Sequence, residues 1–103
     1  MEQINTEKFD ELLKGEKPVV CDFFATWCGP CKMLAPVMEE VNKECEDKAV
    51  FVKVDVDENM ALSARYGIMS IPLVAIFKNG EMTAKSLGYM TKSEVLEFLE
   101  GNL

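Results

Sequence analysis

Residues 19–32 read Val19-Val20-Cys21-Asp22-Phe23-Phe24-Ala25-Thr26-Trp27-Cys28-Gly29-Pro30-Cys31-Lys32. The first six are apolar apart from Asp22. A short run of this kind suits a strand buried on both faces, as in a parallel sheet. Downstream, Leu34, Val37, Met38, Val41 and Cys45 recur at the spacing of one helical stripe. A buried strand therefore leads into a long helix, and two cysteines stand at the junction. Pro36 falls inside the helix, where it is expected to bend the axis and free a carbonyl one turn earlier.

Working outward, Ala49 to Asp55 alternates and is rich in β-branched residues, which predicts a second strand. A first helix is predicted over about Glu7–Leu13, with Thr6 as N-cap and Gly15 as stop. A short helix over about Met60–Arg65 ends at Tyr66-Gly67. Leu73 to Phe77 is another apolar strand, and Lys78-Asn79-Gly80-Glu81 turns it back into a strand over Met82–Leu87. Thr91-Lys92-Ser93-Glu94 is a capping box for a last helix, whose buried face is Val95, Leu96, Phe98 and Leu99. One strand–helix–strand unit followed by a hairpin implies an α/β fold, a mixed sheet with helices packed on it.

Composition narrows the function. The chain has 103 residues, with 49% hydrophobic and 28% charged, enough for one domain with a core and too few for two. Net charge is −7 and Arg65 is the only arginine, so a nucleic-acid partner lacks its basic face. There is no histidine, which excludes Ser-His-Asp and Cys-His catalysis and histidine metal sites. Met1 to Lys17 is studded with charge and has no apolar core for a signal peptide. The apolar run Ile71–Phe77 is too short to span a membrane. The expected compartment is the cytoplasm, where structural disulfides are rare.

Four cysteines remain, Cys21, Cys28, Cys31 and Cys45. Cys21 lies within the apolar strand and Cys45 on the helical stripe, so both read as core. Cys28 and Cys31 differ. Pro30 suits a first helical turn, which places Cys28 at the helix edge facing unsatisfied N–H groups that favour a thiolate. The macrodipole adds only about 0.3–1 kcal/mol, less than one pKa unit at about 1.4 kcal/mol. Direct N–H···S contacts and the second thiol must supply the rest. Residues at i and i+3 lie on one side of a turn, so the two sulfurs can bridge with little backbone movement. Zinc ligation is the rival reading. It lacks two of its usual four ligands, and Cys45 lies ~20 Å along the helix from Cys31. A purely structural bridge would constrain the unfolded chain little across so short a loop.

Two charges interrupt apolar strands. Asp22 is expected to be desolvated, with its pKa raised, and adjacent strands would bring Lys53 close to it. Their alternative reading is a pair of edge or snorkelling charges. The apolar flanks of Asp22 and its place just upstream of the cysteines favour a buried proton acceptor modulated by Lys53. Pro72 fits the start of a strand, and its spacing does not choose between cis and trans.

These residues together resemble the thioredoxin family. The matches are Val20-Cys21-Asp22-Phe23, Trp27-Cys28-Gly29-Pro30-Cys31-Lys32, Ala35-Pro36, Lys53-Val54-Asp55-Val56-Asp57, Tyr66-Gly67-Ile68, Ser70-Ile71-Pro72, Phe77-Lys78-Asn79-Gly80 and Gly88, in order along nearly the whole chain. A Cys-x-x-Cys beside a βαβ pattern is a recognised sign of that fold. The resemblance implies a five-stranded mixed sheet flanked by four helices. It implies Cys28 as attacking thiol, Cys31 as resolving thiol, Asp22 as acid/base near Cys31 and Lys53 beside it. It implies a cis Pro72 and an apolar docking face of Trp27, Gly29, Pro30, Ile71, Pro72 and Gly88. The implied activity is reduction of protein disulfides by a monomer, with no cofactor or metal of its own. Its partners would be target proteins and a recycling reductase, either an NADPH flavoenzyme or a ferredoxin-linked one. Three positions depart from the family pattern: Phe24 for a tryptophan, Leu73 for a threonine after Pro72, and Tyr89 for a small residue. A disulfide oxidant or isomerase and a redox-dependent binding module are the competing functions. Measured potential separates the first from a reductase, and turnover separates the second.

Overall fold

The computed structural model describes residues 1–103. Its elements are β1 (Glu2–Gln3), α1 (Thr6–Leu13), β2 (Val19–Phe24), α2 (Gly29–Cys45), β3 (Val50–Asp55), α3 (Met60–Arg65), β4 (Leu73–Lys78), β5 (Glu81–Leu87) and α4 (Lys92–Asn102). They form a five-stranded sheet in the order β1-β3-β2-β4-β5. β2 pairs in parallel with β3 and antiparallel with β4, so its backbone is bonded on both sides. The mixed sheet and four helices are those that the family resemblance implies.

The double burial of β2 has a direct cause. Its odd-numbered residues Val19, Cys21 and Phe23 join Phe9, Val52, Val54, Leu62 and Phe77 on one face. Val20 turns to the other face, among Leu34, Met38, Val41, Val95 and Leu99. Strand alternation then puts Asp22 on the same face as Val20, beneath α2. The stripe of α2 is buried at Leu34, Met38, Val41 and Cys45, while Val37 is only partly covered. α2 continues through Pro36, which cannot bond the Lys32 carbonyl.

The hairpin between β4 and β5 follows its turn chemistry. Asn79 and Gly80 have φ of 53° and 82°, the two positive values that a tight hairpin of this hand needs. Thr91 accepts from Glu94 N and the Glu94 side chain accepts from Thr91 N, closing the expected capping box.

Two local expectations change. Asn5, not Thr6, caps α1, its Oδ1 accepting from Lys8 N at 2.9 Å. Thr6 is helical, and both its N–H and its hydroxyl donate to Asn59 Oδ1, at 2.9 and 3.0 Å. A distant amide oxygen thus binds both donors of Thr6 and holds it as the first helical residue. The fifth strand, β1, had no segment of its own in the residue pattern. It pairs with β3 through Glu2↔Val52 and Gln3↔Lys53, and both of its residues are exposed.

Phe9 anchors the face opposite α2. It is fully buried, and its ring meets Phe23, Tyr66 and Phe77 at centroid distances of 6.4, 5.9 and 5.0 Å. Phe9→Ala is expected to destabilise the fold by about 3–5 kcal/mol, read as a lowered midpoint in urea denaturation with little change in slope.

Candidate active site

The site assembles where three strand ends meet. β2 ends at Phe24 and leads to Cys28. β3 ends at Asp55 beside it, and β4 begins at Leu73, opposite Phe23. Cys28 is the N-cap of α2, in extended conformation, and Pro30 lies in the first turn. Its Sγ accepts from Cys31 N at 3.2 Å. A cap normally uses a side-chain oxygen for this bond, and here a sulfur takes the role. Cys28 and Cys31 are joined as a disulfide, with Cα atoms 5.2 Å apart. Both are nearly covered, and with Ala25 they form a small apolar cluster against Phe24, Val56 and Ile71.

The Ile71–Pro72 peptide bond is cis, and Pro72 is buried. The Pro72 carbonyl accepts from Gly88 N at 2.8 Å. Gly88 has φ of 98°, a conformation that side chains rarely adopt. This bond ties the Gly88-Tyr89 segment to the loop carrying Ile71. Trp27, by contrast, is 70% exposed. Its indole N–H donates to Asp57 Oδ2 at 2.7 Å, which holds the ring although little packs on it.

Below the disulfide lies a cavity of about 290 Å³ lined by Asp22, Phe24, Ala25, Thr26, Cys31, Lys32, Ala35 and Lys53. Asp22 is 3% exposed and its Oδ1 has no hydrogen-bond partner. Burial pushes its carboxyl up to about 6, while the Lys53 charge pulls it down by less. Asp22 and Lys53 face each other in register across β2 and β3. They form no ion pair, since the three ion pairs of the molecule join other groups. The Lys53 ammonium lies instead 5.7 Å from the centroid of the Phe24 ring, a cation–π placement. Cys21 and Cys45 are unbonded and buried, and burial pushes the Cys21 thiol well up.

Asp57, which the family resemblance includes without a role, and Asn59, which no expectation singled out, adjoin the candidate site. Asp57 N donates to Asp55 Oδ1 at 2.9 Å, and Asn59 Nδ2 donates to the Asp55 carbonyl at 3.0 Å. Asn59 Oδ1 in turn holds Thr6. This web fixes the turn after β3 and aims the Asp57 carboxylate at Trp27. The signal was present as Asp55-Val56-Asp57-Glu58-Asn59, because Asp and Asn directly after a strand form side-chain-bonded turns.

A cysteine pair capping a central helix, beside a cis-proline loop on a mixed sheet, defines a thiol–disulfide oxidoreductase. The chain belongs to the thioredoxin family, whose model matches residues 1–101. It is 43% identical over 94 residues to a thioredoxin of Rickettsia bellii, spanning 91% of this chain and 90% of that protein. It is 47% identical over 89 residues to a thioredoxin of Bacillus subtilis, spanning 86% of each. It is 47% identical over 96 residues to a thioredoxin of Mycoplasmoides gallisepticum, spanning 93% of this chain and 95% of that protein. Membership and the bonded pair support disulfide reduction, with a reductase and disulfide-bearing targets as partners. No helix is long and apolar enough to cross a membrane.

Two outcomes follow from this geometry. The folded Asp22 carboxyl, at about 6, binds its proton more tightly than the unfolded one, near 3.8. Its contribution is therefore fully present below about pH 4 and is lost as pH rises through 6. Asp22→Leu removes that loss and is expected to raise stability at pH 8 by about 2–3 kcal/mol relative to its effect at pH 4, measured by urea denaturation at both values. Trp27 is the only tryptophan, so its fluorescence reports on one ring. Asp57→Ala is expected to lower its anisotropy, and Asp57→Asn, which keeps an acceptor, to preserve it.

Proposed function

We propose that this chain, as a single domain and a monomer over residues 1–103, reduces disulfides of cytoplasmic proteins and so serves electron transport and cell redox balance. The observation that carries the reading is the Cys28 Sγ at the cap of α2, accepting the Cys31 N–H. In the reduced protein the same N–H would stabilise a Cys28 thiolate, the form that attacks disulfides. The Cys28 thiolate attacks one sulfur of the target. A Cys28–target bond forms, the target S–S bond breaks, and the leaving thiolate takes up a proton. Asp22 then accepts the Cys31 proton, directly or through the cavity beneath it, and its pKa of about 6 suits that exchange near neutral pH. The Cys31 thiolate attacks Cys28, releasing the second target thiolate and leaving the Cys28–Cys31 disulfide. Two electrons have passed to the target.

Lys53 modulates Asp22 from the facing strand position. Trp27, Gly29, Pro30, Ile71, Pro72 and Gly88 form the docking face around the pair. A reductase returns the dithiol, either a flavoenzyme drawing on NADPH or a ferredoxin-linked enzyme. The net charge of −7 supports protein partners over nucleic acids or anionic membrane surfaces. No cofactor or metal is needed, because sulfur carries both electrons.

Insulin reduction with dithiothreitol as electron source tests the reading. Wild type is expected to speed precipitation of the insulin B chain, and Cys28→Ser to fall to the rate of dithiothreitol alone. Cys31→Ser keeps the attacking sulfur and loses the resolving one. It is expected to accumulate mixed disulfides, seen as adducts on non-reducing gels that vanish with reductant. Equal rates for wild type and Cys28→Ser would falsify the assigned chemistry.

A further inference from the structure

Asn59 stands at the N-cap of α3, directly before Met60. A cap asparagine normally turns its side-chain oxygen onto an N–H of the first helical turn. Asn59 makes no such bond. Its Oδ1 accepts instead from the Thr6 N–H at 2.9 Å and from the Thr6 hydroxyl at 3.0 Å. Its Nδ2 donates to the Asp55 carbonyl at 3.0 Å. The orientation of the amide is forced, because the Thr6 N–H can only donate and the Asp55 carbonyl can only accept. Asn59 is buried, so these bonds are made largely out of water.

The amide lies in the middle of a chain of contacts. On one side is Thr6, the first residue of α1. On the other, Asp55 Oδ1 accepts from Asp57 N at 2.9 Å, and Asp57 Oδ2 accepts from the Trp27 indole at 2.7 Å. Thr6 and Trp27 are thus joined through three residues, Asn59, Asp55 and Asp57. An indole has a single N–H, and this ring is largely exposed. Its position therefore follows the Asp57 carboxylate, and the carboxylate follows the turn that Asn59 closes. A local cap given up for a long-range link is a place where a sequence rule yields to position.

We propose that Asn59 is a positioning residue for Trp27, which it reaches through Asp55 and Asp57 while braced on Thr6. Its part in target reduction rests on the reductase reading above, in which Trp27 belongs to the docking face. Asn59 acts on the ring and not on the sulfurs, so its loss is expected to raise KM for a protein target more than it lowers kcat. Aspartate at this position would keep an acceptor for Thr6 and set a carboxylate oxygen against the Asp55 carbonyl, so only the arm toward the site would break.

Time-resolved anisotropy of Trp27, the only tryptophan, tests this in the reduced protein. Asn59→Ala and Asn59→Asp are each expected to enlarge the fast, nanosecond part of the decay about twofold. Thr6→Ser keeps both donors and is expected to match wild type, whereas Thr6→Val loses the hydroxyl and is expected to fall between. Adding Asn59→Ala to Asp57→Ala is expected to change the decay no further, since the route is already cut. Leu99→Ala weakens the core cluster beneath α4, on the other face of the sheet, and is expected to leave the decay as in wild type. That control separates positioning from lost stability. With insulin as target, Asn59→Ala is expected to raise KM about threefold and to keep kcat within about twofold of wild type. A wild-type decay in Asn59→Ala, or additive effects with Asp57→Ala, overturns the positioning role. A freed ring with unchanged KM overturns its part in reduction. A wild-type protein that reduces no insulin overturns the reductase reading, and the anisotropy of the variants still decides whether Asn59 positions the ring.

Discussion

Everything at the site hangs from the two-sided pairing of β2. Its backbone is bonded to β3 on one edge and to β4 on the other, and both faces are packed. A strand so held has no freedom to slip, because a one-residue shift would exchange its two faces. Asp22 would then move to the side of Phe9, and Cys21 to the side of α2. The same pairing sets where β3 stops and where β4 starts. Register therefore brings the segments that carry the Asp57 carboxylate, the cysteine pair and Pro72 to one end of the sheet. The site groups themselves stand on short segments just beyond the strand ends, so the strands fix where those segments start and local hydrogen bonds fix the rest.

The division between what the residues disclose and what they hide follows from the range of each interaction. β2, α2, the hairpin and the capping box are governed by neighbours in sequence, and all are legible there. The same holds for Cys28 at a helix edge, since Gly29-Pro30 acts within one turn. The fifth strand is different. Glu2 and Gln3 carry no pattern, and they pair only because β3 presents an open edge. The cap of α1 is another case. Asn5 and Thr6 are equally good cap residues by chemistry. Asn5 takes the cap, and Thr6 is engaged instead by Asn59, 53 residues away, which accepts from both of its donors.

The Asp22–Lys53 relation was half legible. Their proximity follows from two adjacent strands, and they do stand opposite each other. What their side chains do is set by a third residue. Phe24 offers a ring face to the ammonium, and Lys53 settles there without pairing with Asp22. This is also where the sequence departs from the family pattern. An ion pair at this position would have offset much of the burial penalty on the carboxylate. Without it, Asp22 keeps an unbonded buried oxygen and an elevated pKa. An aromatic ring at position 24 offers this face whether it is Phe or Trp, so the ring placement of Lys53 does not depend on the departure.

The absence of histidine gives that elevated pKa its importance. A general base for thiol chemistry works best with a pKa near the ambient pH, and histidine is the side chain that has one unperturbed. A carboxylate in water, at 3.8 here before burial, would be a poor acceptor for a thiol proton. Burial raises Asp22 toward the range that the proposed proton exchange with Cys31 calls for. The cost is a fold less stable at neutral pH than one with an apolar residue there. Raising the carboxyl much further would leave it protonated at neutral pH and unable to serve as the base of the proposed mechanism. Drawing Lys53 into an ion pair would lower it and remove the gain. The intermediate value therefore depends on both features together, a carboxylate out of water and a neighbouring cation kept from touching it.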